Sequence, residues 1–70
     1  MELVQVKSAN LSKVGYDEES ELLLIVFNSG SIYEFQKVPK DLYENLMQAP
    51  SIGSFFNKTI RNRYVYKKIV

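Results

Sequence analysis

The sequence predicts an α+β domain: an antiparallel three-stranded meander, a helical hairpin packed on one face, and a C-terminal strand joining the sheet. Three observations predict it. Apolar runs of strand length, separated by turn residues, occupy the stretch from Leu11 to Gln36. After Val38 the apolar spacing lengthens to the three-to-four-residue period of a helix, and it does so twice. From Arg63 to Ile69 alternation returns, with Tyr64, Tyr66 and Lys68 on one face and Val65, Lys67 and Ile69 on the other.

Taken in order, Leu3 to Val6 is short and apolar enough for an edge strand or an ordered arm. Leu11 to Tyr16 reads as a strand whose end is marked by Gly15, and Asp17-Glu18-Glu19-Ser20 supplies the polar chemistry of a hairpin turn. Leu22 to Phe27 is continuously apolar and partly β-branched, the pattern of a central strand buried on both faces. Asn28-Ser29-Gly30 is a turn in which Gly30 can take positive φ. Ser31 to Gln36 then returns as a strand, with Tyr33 and Phe35 on one face and Ile32 and Glu34 on the other.

Pro39 suits a first helical position, where a missing N–H costs nothing, and Asp41 and Glu44 suit the positive end of the helix dipole. Leu42, Tyr43, Leu46 and Met47 form one apolar stripe, closed by Ala49-Pro50. Ser51 is the expected N-cap of a second helix with Ile52, Phe55, Phe56 and Ile60 as its stripe. Gly53 interrupts that helix at about 1 kcal/mol relative to Ala, which points to a close backbone approach.

Seventy residues make one domain, residues 1–70, and at this size only about 60% of the unfolded chain's surface can be buried. With no Cys, no disulfide or thiolate metal site supplements packing. The longest apolar run, Leu22 to Phe27, is far short of a membrane span, and Met1-Glu2-Leu3 lacks the layout of a secretory signal. The expected compartment is the cytoplasm, with no membrane partner.

Catalysis of the serine or cysteine type has no base near neutral pKa here, because His and Cys are both absent. The acids around Asp17 to Glu21 read as a solvated turn, and the three glycines lie too far apart for a phosphate loop. The expectation is therefore no enzyme, no metal and no cofactor.

The net charge of +1 hides a division. Residues 1–57 carry a net −4, whereas the last thirteen residues hold Lys58, Arg61, Arg63, Lys67 and Lys68 with no acid, a net +5. Such a run is either a solvated end of the chain or the contact for an anionic partner, and folding alone gives like charges no reason to gather. Aromatics placed on one side of a sheet are the layout with which RNA-binding sheets stack bases. Burial competes for the same rings, and packing claims Tyr33 and Phe35 and favours Tyr64, leaving Tyr66 evenly placed. Asn57 reads as a residue that caps or bridges backbone near the helix end, the preferred reading, or as a polar contact inside a site.

The ordered landmarks Ser8, Val14-Gly15-Tyr16-Asp17, Gly30, Tyr33-Glu34-Phe35, Val38-Pro39, Ala49-Pro50-Ser51-Ile52-Gly53, Phe55-Phe56-Asn57, Ile60-Arg61 and Tyr64 resemble the KTSC family. Its members are short bacterial and phage domains, also found at the C-terminus of some lysyl-tRNA synthetases. The family's Tyr-x-Tyr signature has Phe35 at its second position here, keeping the ring without the hydroxyl. The resemblance implies RNA binding. Together the readings predict a non-catalytic module that holds RNA through Lys58, Arg61, Arg63, Lys67 and Lys68, with Tyr64 or Tyr66 stacking on a base. The alternatives are a protein-interaction or assembly module, such as a phage accessory factor or a charge-paired homo-oligomer, and a small-nucleotide-binding protein.

Overall fold

The computed structural model describes all residues, 1–70. Its elements are β1 (Leu3–Gln5), β2 (Leu11–Asp17), β3 (Leu22–Phe27), β4 (Ile32–Phe35), α1 (Lys40–Gln48), α2 (Ile52–Thr59) and β5 (Tyr66–Lys68). The strands form one five-stranded antiparallel sheet in chain order. The expected three-stranded meander is thus a strand short, because Leu3 to Gln5 pairs fully with β2.

Gly15 explains that pairing, and it lies inside β2 rather than at its end. A Cβ there would come within 2.7 Å of Leu3 Cδ2 and 2.9 Å of Met1 Sδ. The missing side chain lets the N-terminal residues lie over the strand.

Register decides which side of the sheet becomes the core. Val14 stands opposite Ile25, Ile25 opposite Tyr33, and Tyr33 opposite Lys68. In the next row Tyr16, Leu23, Phe35 and Tyr66 follow one another across the sheet. Both helices cover this side: the Phe56 ring lies edge-on 5.4 Å from Phe35, and Tyr43 stacks on Tyr16 at 4.6 Å. Val14, Leu23, Ile25, Phe35, Leu46, Phe56 and Ile60 are buried between the layers. Leu22, Leu24 and Val26 face the other way and are only half-buried. The expectation that β3 is buried on both faces fails because the chain forms one helical layer, not two.

The helix boundaries follow local chemistry closely. Pro39 stands at the N-cap, one residue before its expected place, where its carbonyl accepts from the Leu42 and Tyr43 amides. Ser51 caps α2, its Oγ accepting from the Ser54 amide at 3.3 Å. Gly53 brings the start of α2 against the β1–β2 connection, since a Cβ there would meet Ser8 Oγ at 3.0 Å. Gly30 has φ +96°, as its turn requires.

The expected strand from Arg63 begins later, at Tyr66. The Arg63 and Tyr64 amides donate to Ile60 O, so these residues wrap the end of α2 instead. Pairing with β4 then runs from the Gln36 amide on Val65 O to the Ile69 amide on Ile32 O.

Two side-chain bonds tie the meander to the helices. The Tyr16 hydroxyl donates to Val38 O at 2.6 Å, and Lys40 Nζ donates to Glu18 Oε1 at 3.2 Å. Burial, followed by the charges of Glu21, Glu18, Asp17 and Asp41, raises the Tyr16 phenol above its ordinary value. The Glu18 bond raises Lys40, and hydrogen bonds from Ser20 and the Glu19 amide lower Asp17. No helix is long and apolar enough to cross a membrane.

Candidate nucleic-acid interface

The sheet's open face is not a stacking platform. Its central positions carry Leu24, Val26, Ile32 and Glu34, because the same alternation that builds the core sends every sheet aromatic to the helical side. At the margin of the helical layer, however, coverage runs out. There Tyr33, Phe35 and Tyr66 floor an open cleft of about 400 Å³, with Phe27 and Phe56 as walls and Arg61 and Asn62 at the rim.

The rings in this cleft hold one another. Tyr66 lies 5.2 Å from Tyr33 and 5.6 Å from Phe35, and Phe27 meets Tyr33 edge-on at 5.4 Å. Tyr66 nevertheless remains 52% exposed, so part of this residue stays accessible at the cleft.

The cleft does not end there. A second cavity of about 360 Å³ shares Phe27, Ser29, Phe56 and Arg61 with it and adds Asn10, Asn28 and Asn57. A third, about 640 Å³, shares Ala9, Asn10, Gly53 and Asn57 with the second and adds Lys7, Ser8 and Lys58. Through these shared residues the three adjoin in series, forming a chain of cavities, the groove, that passes α2. Its lining includes Lys7, Lys58 and Arg61 but no acid, although the chain has eight. The acids concentrate instead at the β2–β3 turn and on α1.

Of the residues expected to form the site, the fold joins some and separates others. Arg61 and Tyr66 meet in the first cleft, and Lys58 lines the same groove further along α2. Lys68 stands opposite Tyr33 on the helical side of the sheet. Lys67 points to the other face, opposite Glu34 in the register of the sheet. Arg63 is exposed in the turn after α2, outside the groove. Tyr64 is half-buried against the core.

The sequence reading missed Lys7, Asn10 and Asn28, which reach the groove only through sheet pairing and the seating of α2. Its preferred reading of Asn57 as a backbone bridge gives way to its second, a polar contact, since the side chain is exposed and its Oδ1 accepts from Arg61 Nη1 at 3.3 Å. Only the four-residue spacing of Asn57, on α2, and Arg61, just past its C-cap, signalled this pair.

Comparison with known proteins agrees with this architecture. A model of the KTSC domain matches residues 7–64. The chain belongs to the KTSC domain family. It is 34% identical to an uncharacterized protein of Stutzerimonas stutzeri, covering 99% of each chain. It is also 34% identical over 67 residues to a lysine–tRNA ligase of Nostoc punctiforme, where it spans 96% of this chain but only 12% of the ligase. Among solved structures, a KTSC domain protein of Yersinia pestis superposes with a TM-score of 0.95 at 30% identity, over 99% of this chain and 97% of that one. Lys7, Asn57, Lys58 and Arg61 all fall within the matched KTSC span, whereas β5, which supplies Tyr66, lies beyond it.

Proposed function

We propose that this KTSC domain is a non-catalytic module that binds single-stranded RNA in the groove along α2. Tyr66 and Tyr33 stack on a base, Arg61 and Lys58 hold phosphates, and Lys7 extends the cationic wall. The carrying observation is the acid-free groove, which joins an open aromatic floor to three cations in a chain with nearly equal numbers of acids and bases. A base needs a π-face and its phosphates need cations; Arg61 stands beside the aromatic floor, and Lys58 and Lys7 follow two cavities further along. The relation to a segment of a lysine–tRNA ligase supports the reading, since that enzyme handles a tRNA.

Fluorescence anisotropy with a labelled single-stranded RNA across a salt series tests the proposal. Three phosphate contacts give a slope of about −2.1 in log affinity against log salt. Failure to bind at low salt refutes the proposal.

A second reading has one observation in its favour. The acidic β2–β3 turn and α1 lie apart from the acid-free groove, so one copy's acidic end can pair with another's groove. Light scattering across salt tests this: a mass that falls as salt rises supports it, and a monomer at every salt removes it.

A further inference from the structure

The open face of the sheet is apolar, and no helix covers it. β3 runs from Leu22 to Phe27 without a polar residue, whereas a strand with one wet face ordinarily alternates. The helices account for Leu23 and Ile25, and Leu22, Leu24 and Val26 stay half-buried on the other side. Register places Ile32 beside Val26, and Leu3 across Gly15 from Leu24. Of the seven large apolar residues left exposed, four lie on this face: Met1 and Leu3 over Gly15, and Val65 and Ile69 on either side of Lys67.

The charges on this face select its occupant. Its paired positions carry Lys13, Asp17, Glu34 and Lys67, two of each sign, in a chain whose charges elsewhere segregate. A neutral face offers no counter-charge to an RNA or an anionic membrane. A second copy, however, finds its complement here. The middle row of the face is Leu3, Gly15, Leu24, Glu34 and Lys67. Lys13 and Asp17 stand two residues to either side of Gly15, and Val26 and Leu22 flank Leu24 in the same way. A two-fold axis along that row, between two facing sheets, sets Lys13 over the partner subunit's Asp17 and Val26 over the partner subunit's Leu22, each twice. Ile69 then meets the partner subunit's Val65. Glu34 and Lys67, one strand apart and opposite in sign, form with their copies a neutral group of four toward the β5 edge.

We infer that the open face is the interface of a two-fold dimer in which two sheets pack face to face, with both helical layers outside and both grooves free. The second copy supplies the covering layer that the unbroken apolar run of β3 calls for. Five strands about 4.8 Å apart and six residues at about 3.3 Å each outline a face of roughly 24 by 20 Å, so the pair buries on the order of 1,000 Å². That is the lower limit for a specific interface, and the dimer is accordingly concentration-dependent. It is independent of the RNA reading and uses a different surface from the pairing of acidic end with groove.

Sedimentation equilibrium of the intact chain from micromolar to millimolar concentration tests the inference. The mass is expected to approach twice 8.1 kDa as concentration rises. The association is expected to survive about 1 M salt, at which exposed charge pairing is screened. Leu24→Lys, whose folding is checked by circular dichroism, places a charge on the axis in both copies and weakens association by about 100-fold or more. Amide chemical shifts of the wild type on dilution give a second readout, with changes expected at Leu22, Leu24, Val26 and Ile32 and none at Asn57 or Arg61. A monomer at millimolar concentration assigns the face to a different partner and overturns the inference, leaving the RNA proposal standing. A folded Leu24→Lys that dimerises like wild type, or dilution shifts along α2 instead of the open face, overturns it as well.

Discussion

Tyr66→Ala separates a ligand-facing ring from a core ring. With 52% of the residue exposed, roughly half the value of full burial is at stake, on the order of 1 kcal/mol. Losing the contacts with Tyr33 and Phe35 adds about 0.5–1.5 kcal/mol. For a chain of this size the sum lowers Tm by roughly 6–20 °C, and the protein stays folded at room temperature. Stacking on a base is worth about 1–3 kcal/mol, so RNA affinity falls roughly 5- to 150-fold. Tyr66→Phe keeps the π-face and leaves affinity within about twofold. Circular dichroism melts give the first number and anisotropy titration of the folded variant gives the second. A folded Tyr66→Ala that binds RNA as tightly as wild type refutes the assignment of the cleft.

Phe56→Ala has the opposite signature: the ring is 1% exposed and packs edge-on against Phe35 and Phe27, so truncation costs about 3–5 kcal/mol in a urea melt and unfolds much of the population. Arg61→Ala leaves the melt nearly unchanged and flattens the salt slope by about 0.7, the share of one phosphate contact. The raised Tyr16 phenol gives stability that is full below its unfolded pKa, near 10, and is lost as pH rises through the higher folded value. Tyr16→Phe removes that alkaline loss in pH-dependent melts and costs about 1–3 kcal/mol at neutral pH, because Val38 O loses its donor.

Periodicity carried most of the fold because each element's local preference agrees with its tertiary place. Ser51, Gly30 and Gly53 each do what their residue type implied, and Leu22 to Phe27 is a central strand. Where the reading slipped, the deciding contact was distant in sequence. Leu3 to Gln5 takes the edge-strand alternative because Gly15 makes room beside it, whereas Gly15 alone looked like a strand end. Arg63 and Tyr64 alternate correctly for a strand, but the Ile60 carbonyl captures their amides. The candidate site was half legible. Spacing placed Lys58 and Arg61 near one another, although Arg61 lies past the end of α2 rather than on its face, whereas Lys7 and Asn28 join them through the sheet and Lys67 leaves them through strand parity.

An amide chemical-shift titration of the labelled chain with a single-stranded RNA tests the central claim most directly. Asn57, Arg61, Asn62 and Tyr66 are expected to shift together while Leu24, Val26 and Lys67 on the open face stay still. Shifts confined to the open face, or none at all under low salt, would contradict it.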